Sequence, residues 1–203
     1  MLQHYLKLAF RNFHRQKSSF LINLIGLSTG LACALIIFLW VKDELQMDKF
    51  LPNEAQLYRV MEHQQYATDI MTTNSTPGPL ADALMEEFPE IEHAATVVWA
   101  NNFTLFFKGK GFKVEGRPVG KDFLEIIKIP MIAGERNVLT DLNSIVISQS
   151  TATKMFGSAT AAMGQTVSLD KETEHLIGGV FQDLPANSTL QFEMILPFDK
   201  FRQ

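Results

Sequence analysis

The sequence has a single cysteine, Cys33, so it can hold no internal disulfide, and that cysteine sits in an apolar run. Such sparing use suits a cytoplasmic or a periplasmic domain equally. Basic residues are scarce over most of the length. Residues 1–43 hold five of the 18 Lys and Arg and one (Asp43) of the 22 Asp and Glu, which leaves 13 and 21 for residues 44–203, a formal charge of −8. A body that acidic excludes nucleic acid as a natural partner, because binding a phosphate backbone needs a basic face. No repeat and no low-complexity stretch is present. With 46% apolar and 20% charged residues, the chain has enough material for a real core and is not disordered.

Catalytic signatures are missing too. There is no H-E-x-x-H; Gly26-Leu27-Ser28-Thr29-Gly30 spells G-x-S-x-G but inside an apolar run, and Ser168-Leu169-Asp170-Lys171 spells S-x-x-K without the companion motifs of that chemistry. Gly116-Arg117-Pro118-Val119-Gly120-Lys121-Asp122 approaches a phosphate loop. It is one residue short between its glycines, and Asp122 stands where a magnesium-binding hydroxyl is needed. A β-turn is the expected reading. Glu172, Glu174 and His175 have no metal-ligand spacing and are expected as solvated charge at a hairpin tip. His63 and His93 have no companions. Asn74, Asn102 and Asn187 open glycosylation-type triplets, which are frequent by chance. The chain is expected not to be an enzyme and to bind no cofactor or metal of its own.

Charge is also absent from residues 20–41, FLINLIGLSTGLACALIIFLWV. A helix of that length spans roughly 33 Å, against a hydrocarbon core of about 30 Å. Its Leu, Ile, Phe and Val side chains favour insertion by about 4–8 kcal/mol in all, partly offset by Asn23, Ser28 and Thr29. A cleaved signal peptide would have a shorter apolar core followed by small residues. Here the run ends in Phe38-Leu39-Trp40-Val41-Lys42. A transmembrane helix over 20–41 is therefore expected, with Trp40 at an interface. Lys7, Arg11, Arg15 and Lys17 precede it, while Asp43, Glu44 and Asp48 outweigh Lys42 and Lys49 after it. The basic end stays in the cytoplasm, and residues 44–203 face outward.

Leu2, Tyr5, Leu6, Phe10 and Phe13 recur at the spacing of one helix face, with Lys7, Arg11 and Arg15 opposite. Residues 1–19 thus predict an amphipathic helix lying along the inner leaflet of the bilayer. Within the span Gly26 and Gly30 form a G-x-x-x-G pair, and Asn23, Cys33 and Ala34 fall near the same face. Small residues let helix backbones approach, so this face predicts packing against another membrane helix.

Beyond the span, residues 42–203 predict an α+β domain of short helices on a mixed sheet. Gln56–Tyr66 and Ala94–Ala100 predict strands. A helix is predicted to open at Pro79 and stop at Pro89, burying Leu80, Leu84 and Phe88. Phe103–Lys108 and Phe112–Glu115 predict a hairpin about Gly109-Lys110-Gly111. Lys121–Ile127 predicts a short helix and Ser144–Ser148 a buried strand. Ser150 is expected to cap a helix ending at Phe156, before Gly157. Gln165–Leu169 and His175–Gln182 predict a second hairpin, and Thr189–Leu196 a last strand. The two strand–helix–strand passages are candidates for a distant internal echo.

Five stretches carry a resemblance: YLKLAFRNFHRQKSSFLINLIGLSTGLACALIIFLWVKDELQMDKF at 5–50, NEAQLYRV at 53–60, FPEIEHAATV at 88–97, NSIVISQSTATKMFG at 143–157 and GVFQDLPANSTLQFEMILPF at 179–198. In that order they resemble the N-terminal part of bacterial ABC-transporter permeases of the MacB/FtsX/Lol superfamily. The resemblance implies a MacB-like core domain outside the inner membrane. It implies a separate cytoplasmic ATPase that binds the ATP, a second permease subunit in a dimer, a periplasmic partner, and transmission of motion across the bilayer to export or extract a substrate. Members of that superfamily continue into further transmembrane helices, among which the ATPase-coupling loop lies, so the resemblance implies a shortened permease. The competing expectation, from the topology alone, is a single-span sensor or ligand-binding module.

Overall fold

The computed structural model describes residues 17–52 and 54–201. Two compact units divide between Met47 and Asp48. Residues 1–16, and with them most of the expected interfacial helix, lie outside the described residues.

The first unit contains α1, Lys17–Leu45, an uninterrupted helix of 29 residues, or about 43 Å. None of its residues is buried, and its apolar side chains stand open on every side, Ile22 at 71% and Leu27 at 74% exposure. Each such side chain stabilises a fold by about 1.5–3 kcal/mol when taken out of water. A helix apolar all round therefore belongs in lipid or among other apolar helices. The turn bonds continue past it, Gln46 N–H to the Asp43 carbonyl and Met47 N–H to that of Glu44.

The second unit begins at Asp48. A 3-10 turn over Glu54–Gln56 leads to a two-stranded ribbon, β1 (Glu62–Gln65) against β2 (Ile70–Thr73). Helix α2, Leu80–Glu87, starts after Pro79 and stops before Pro89. Strands β3 (Asn101–Phe107) and β4 (Lys110–Val119), α3 (Phe123–Ile127), β5 (Met131–Gly134) and a 3-10 turn over Arg136–Thr140 follow. Then come β6 (Ser144–Ser148), α4 (Gln149–Phe156), α5 (Ala159–Ala162), β7 (Thr166–Leu169), β8 (Thr173–Phe181) and β9 (Met194–Pro197). A 3-10 turn over Phe198–Phe201 ends the described chain.

The large sheet runs β5-β8-β6-β9-β4-β3-β7 and curls until β7 also pairs with β8. Strands β4 and β9 are parallel, as are β6 and β8, and the other neighbours are antiparallel. This is the α+β architecture, an apolar helix followed by a mixed sheet with short helices. Alternation sorts the side chains between two cores. Ile145, Ile147, Met194 and Leu196 point inward with Leu105, Val167 and Ile177, and α4 and α5 add Ala152, Met155 and Ala162. Val146 and Ile195 point outward and pack under Phe123, Leu124 and Leu139.

Several local expectations held. Ser144–Ser148 is buried throughout. The first hairpin forms, but its turn is Lys108-Gly109 rather than Gly109-Lys110-Gly111; both are at positive φ (47° and 79°), the geometry that matches strand twist in a two-residue loop. Gly134 is at φ 82°, and a Cβ there would strike the Gly178 carbonyl oxygen where β5 meets β8. Other details differ. Ser148 rather than Ser150 caps α4, its Oγ accepting from Thr151 N–H at 3.2 Å, while Ser150 N–H goes to the Asp183 carboxylate at 3.0 Å. Of Gln56–Tyr66 only residues 62–65 are strand, because Tyr58 and Val60 have no neighbouring strand and stay exposed. Residues 94–100 form no regular strand. Val97 bridges Val119 whereas Asn101 pairs with Gly116, one residue out of step, so this stretch is a bulged lead-in to β3. The stripe on α2 is only half-buried, and Phe88 is exposed. The two strand–helix–strand passages therefore do not match.

Candidate functional site

The face proposed on α1 lies entirely within the described helix. A Cβ built on Gly26 or Gly30 meets nothing within 4 Å, and Cys33 is a free, exposed thiol. Asn23 and Ala34 are exposed as well. The spacing of 23, 26, 30, 33 and 34 keeps these residues within one side of the helix. On the interfacial helix, Leu2, Tyr5, Leu6, Lys7, Phe10, Arg11, Phe13 and Arg15 lie outside the described residues.

The second unit places its ionisable groups in structural roles. His175 is not at a solvated tip. It pairs with Val167 across β7–β8, points inward beside it, and is 1% exposed, whereas Glu172 and Glu174 remain in solvent. Its Nε2 lies 3.0 Å from Thr173 Oγ1 and 3.3 Å from Lys200 Nζ, and its Nδ1 is buried without a hydrogen-bond partner. Burial, and then the Lys200 ammonium, hold the imidazole below its ordinary pKa; the Asn143 carbonyl and Asp141 pull it upward. Asp141 accepts from Ser144 Oγ at 2.7 Å and from Asn143 N–H at 3.1 Å, and these bonds lower its pKa. A ring so enclosed cannot exchange protons with a substrate. The group pins the end of β8 to the turn before β6.

Residues 116–122 form no phosphate loop, and the expected turn lies at their end, where Phe123 N–H bonds the Gly120 carbonyl at 3.1 Å. Gly116–Val119 continue β4 alongside β9, and Gly116 is needed for packing: a Cβ there would sit 2.6 Å from Met194 Cε and 2.7 Å from Phe103 Cδ2. His63 Nδ1 meets Thr72 Oγ1 at 2.8 Å across β1–β2. Among the described residues no three His, Cys, Asp or Glu side chains are grouped to hold a metal ion. Two open depressions, of about 400 and 340 Å³, are lined by Glu125, Glu135 and Arg136 and by Asp82, Lys121, Asp122 and Asp199.

A dense polar junction lies at the start of the second unit. Asp48 takes a positive φ of 57°, and its N–H reaches the Asn187 carbonyl at 3.3 Å. Its Oδ1 accepts from Thr189 N–H at 2.9 Å and lies 3.2 Å from the Ser188 hydroxyl, while Oδ2 accepts from the Thr189 hydroxyl. Ser188 is buried and also bonds both ways with Leu190. The sequence signal, an Asp and a Ser-Thr pair, is too common to link residues 140 positions apart.

The model of the MacB-like periplasmic core domain family matches residues 20–203, taking in most of α1 and all of the second unit. No curated protein matches the sequence. Among solved structures, a domain assigned to a permease protein of Porphyromonas gingivalis is similar at 30% identity and a TM-score of 0.55, over 65% of this chain and 56% of that one. The periplasmic region of MacB from Actinobacillus actinomycetemcomitans gives 16%, a TM-score of 0.45, and 58% and 53% of the two chains. The extracellular domain of the noncanonic ABC-type transporter YknZ from Gram-positive bacteria gives 17%, 0.42, and 53% and 56%. The chain thus spans a little over half the length of each.

Proposed function

The chain belongs to the MacB-like periplasmic core domain family of ABC-transporter permease components, and from that premise we propose that it carries ATP-driven motion from a cytoplasmic ATPase to the periplasm. The observation that carries this reading is the match of one family model to both the apolar helix and the sheet unit on a single chain. The family is not catalytic by itself, and its members work with ATPase partners. ATP binds to that partner, and this subunit needs no cofactor.

The remaining parts of the proposal rest on charge and exposure for the topology and on the family for the partners. The protein is membrane-anchored, and the membrane is the bacterial inner membrane, with the basic N-terminus cytoplasmic and residues 44–203 periplasmic. The domains are an interfacial helix over 1–19, a span over 20–41 and a MacB-like core domain over 42–203. Asn23, Gly26, Gly30, Cys33 and Ala34 form the surface at which α1 meets a helix of the second permease subunit, in a dimer. A periplasmic partner receives the motion at the outer unit, and the motion serves export or extraction of a substrate.

Two measurements test the reading together. Alkaline phosphatase fused after Gln203 should be active and a cytoplasmic reporter there silent. Tagged full-length chain purified from native membranes in mild detergent should bring an ABC ATPase with it. An active cytoplasmic reporter, or co-purification of a sensor-type signalling partner in place of the ATPase, would overturn it.

A further inference from the structure

We propose that Asp48 is the force-transfer residue of this chain: its carboxylate fastens the first residue of the outer unit to the 187–189 turn, so that displacement arriving through residues 46–47 passes directly to β9. The inference rests on the transmission reading above and deepens it by naming the route.

Chain connectivity poses the difficulty. Among the described residues of 49–61 the one regular element is a 3-10 turn and the buried side chain is Leu51, with Leu57 packed partly against the same core; β1 and β2 pair only with each other, and α2 is half-buried. A pull on residue 47 that travelled along the backbone would load Leu51 and, once that side chain gave way, straighten these segments before moving the sheet. The bonds of Asp48 offer a shorter route. Thr189 and Ser188, held by its carboxylate, run on through Leu190 and Gln191 to Phe192 and then β9.

That receiving segment is itself anchored. Gln191 Nε2 donates to the Pro185 and Ser188 carbonyls at 2.9 and 3.0 Å, and Arg117 Nε reaches the Gln191 carbonyl at 3.4 Å. Glu193 N–H bonds the Glu115 carbonyl at 2.7 Å, and Ser148 N–H bonds the Glu193 carbonyl at 2.8 Å. Strand β9 lies between β4 and β6 in the middle of the sheet, so a load reaching residue 193 is shared by both neighbours at once. The left-handed backbone of Asp48 is a further sign of constraint. Asp tolerates φ 57° better than most residues, and that conformation directs its N–H and its carboxylate to the same turn.

Single-molecule force measurement on the full chain tests the route. Handles are attached through Met47→Cys and Gln203→Cys in a Cys33→Ser background, with the protein in detergent micelles. With Asp48 present, the first extension under constant load should be that of the sheet. Asp48→Gly accepts the positive φ but removes the carboxylate. It should add an earlier, separate extension of about 45 Å, the length of residues 49–61 drawn out. The rate of first detachment should rise about tenfold, as expected when two or three hydrogen bonds are lost. Asp48→Asn keeps Oδ1 and tolerates the backbone, so it should fall between the two. An unchanged first event in Asp48→Gly would overturn the inference. Were that variant unable to fold, Thr189→Val, which removes only the hydroxyl bond to Oδ2, should raise the detachment rate severalfold, and no rise would equally overturn it. Failure here leaves the ATPase co-purification above untouched, so the route and the transporter reading fail separately.

Discussion

Replacing Phe192 with Ala should destabilise the outer unit by about 4 kcal/mol, a loss traceable to one side chain. Phe192 is 5% exposed and fills the outer core between α3 and the sheet. Its ring meets Phe181 edge-on with centroids 5.4 Å apart, and Phe123 at 5.9 Å. Truncating a buried Phe to Ala costs about 3–5 kcal/mol, which includes the cavity left behind, and each aromatic pair is worth about 0.5–1.5 kcal/mol beyond buried area. For a unit of this size each kcal/mol moves Tm by about 2–4 °C, so the fall should be roughly 8–16 °C. The assay is thermal unfolding of the full chain in detergent, followed by near-ultraviolet circular dichroism, which reports the aromatic environment of the sheet unit. Phe192→Leu retains most of the volume and should cost less than half as much. Trp99→Ala, at a side chain 63% exposed, should stay within about 2 °C. A fall below about 3 °C for Phe192→Ala would refute the reasoning, because the outer core would then not be closed by this ring.

His175 supplies a pH dependence. Its folded pKa lies below the ordinary 6.5, so the unfolded chain binds the proton more readily. The contribution to stability is complete above about pH 6.5 and is lost as pH falls from there toward the folded value; denaturation midpoints between pH 5 and 8 should decline on the acid side, and His175→Leu should flatten that slope. Gly26→Leu with Gly30→Leu should leave membrane insertion intact, since Leu is more apolar, and weaken helix association in a membrane two-hybrid assay by about tenfold; unchanged association would show the glycines to be incidental.

The parts of the fold that were legible in the sequence are those where one local rule decides. Ser144–Ser148 is a short apolar run of β-branched residues, buried on both faces, and its strand state needs no distant information. The β3–β4 hairpin is fixed by a turn that requires positive φ, which Gly109 supplies. Legibility ended where long-range pairing competes with local preference. Thr189–Leu196 has strand-like composition throughout, yet the strand begins only at Met194, because Thr189 is engaged by Asp48 and Gln191 is turned back to the Pro185 and Ser188 carbonyls. The cap of α4 was missed by two residues because Ser148 and Ser150 both offer hydroxyls, and Asp183 takes the second backbone N–H.

His175 shows what pairing adds to pattern. Along its own strand it follows the polar run Asp170 to Glu174, a pattern that predicts solvent exposure. Read across the hairpin it stands opposite Val167, one of the inward residues of β7, and must point the same way. The partner strand therefore carried the information that its own strand hid. Asp48 extends that logic to a site. A carboxylate two residues past a membrane helix looks like topology-setting charge, and in water it would do no more than that. Held at positive φ against residues 187–189, it ties the first residue of the second unit to the turn that leads into β9. In a protein proposed to move rather than to catalyse, the residues to seek are those that join stiff elements by the shortest path. Composition cannot reveal them, because a latch is made of ordinary Asp, Ser and Thr and is defined only by what lies opposite.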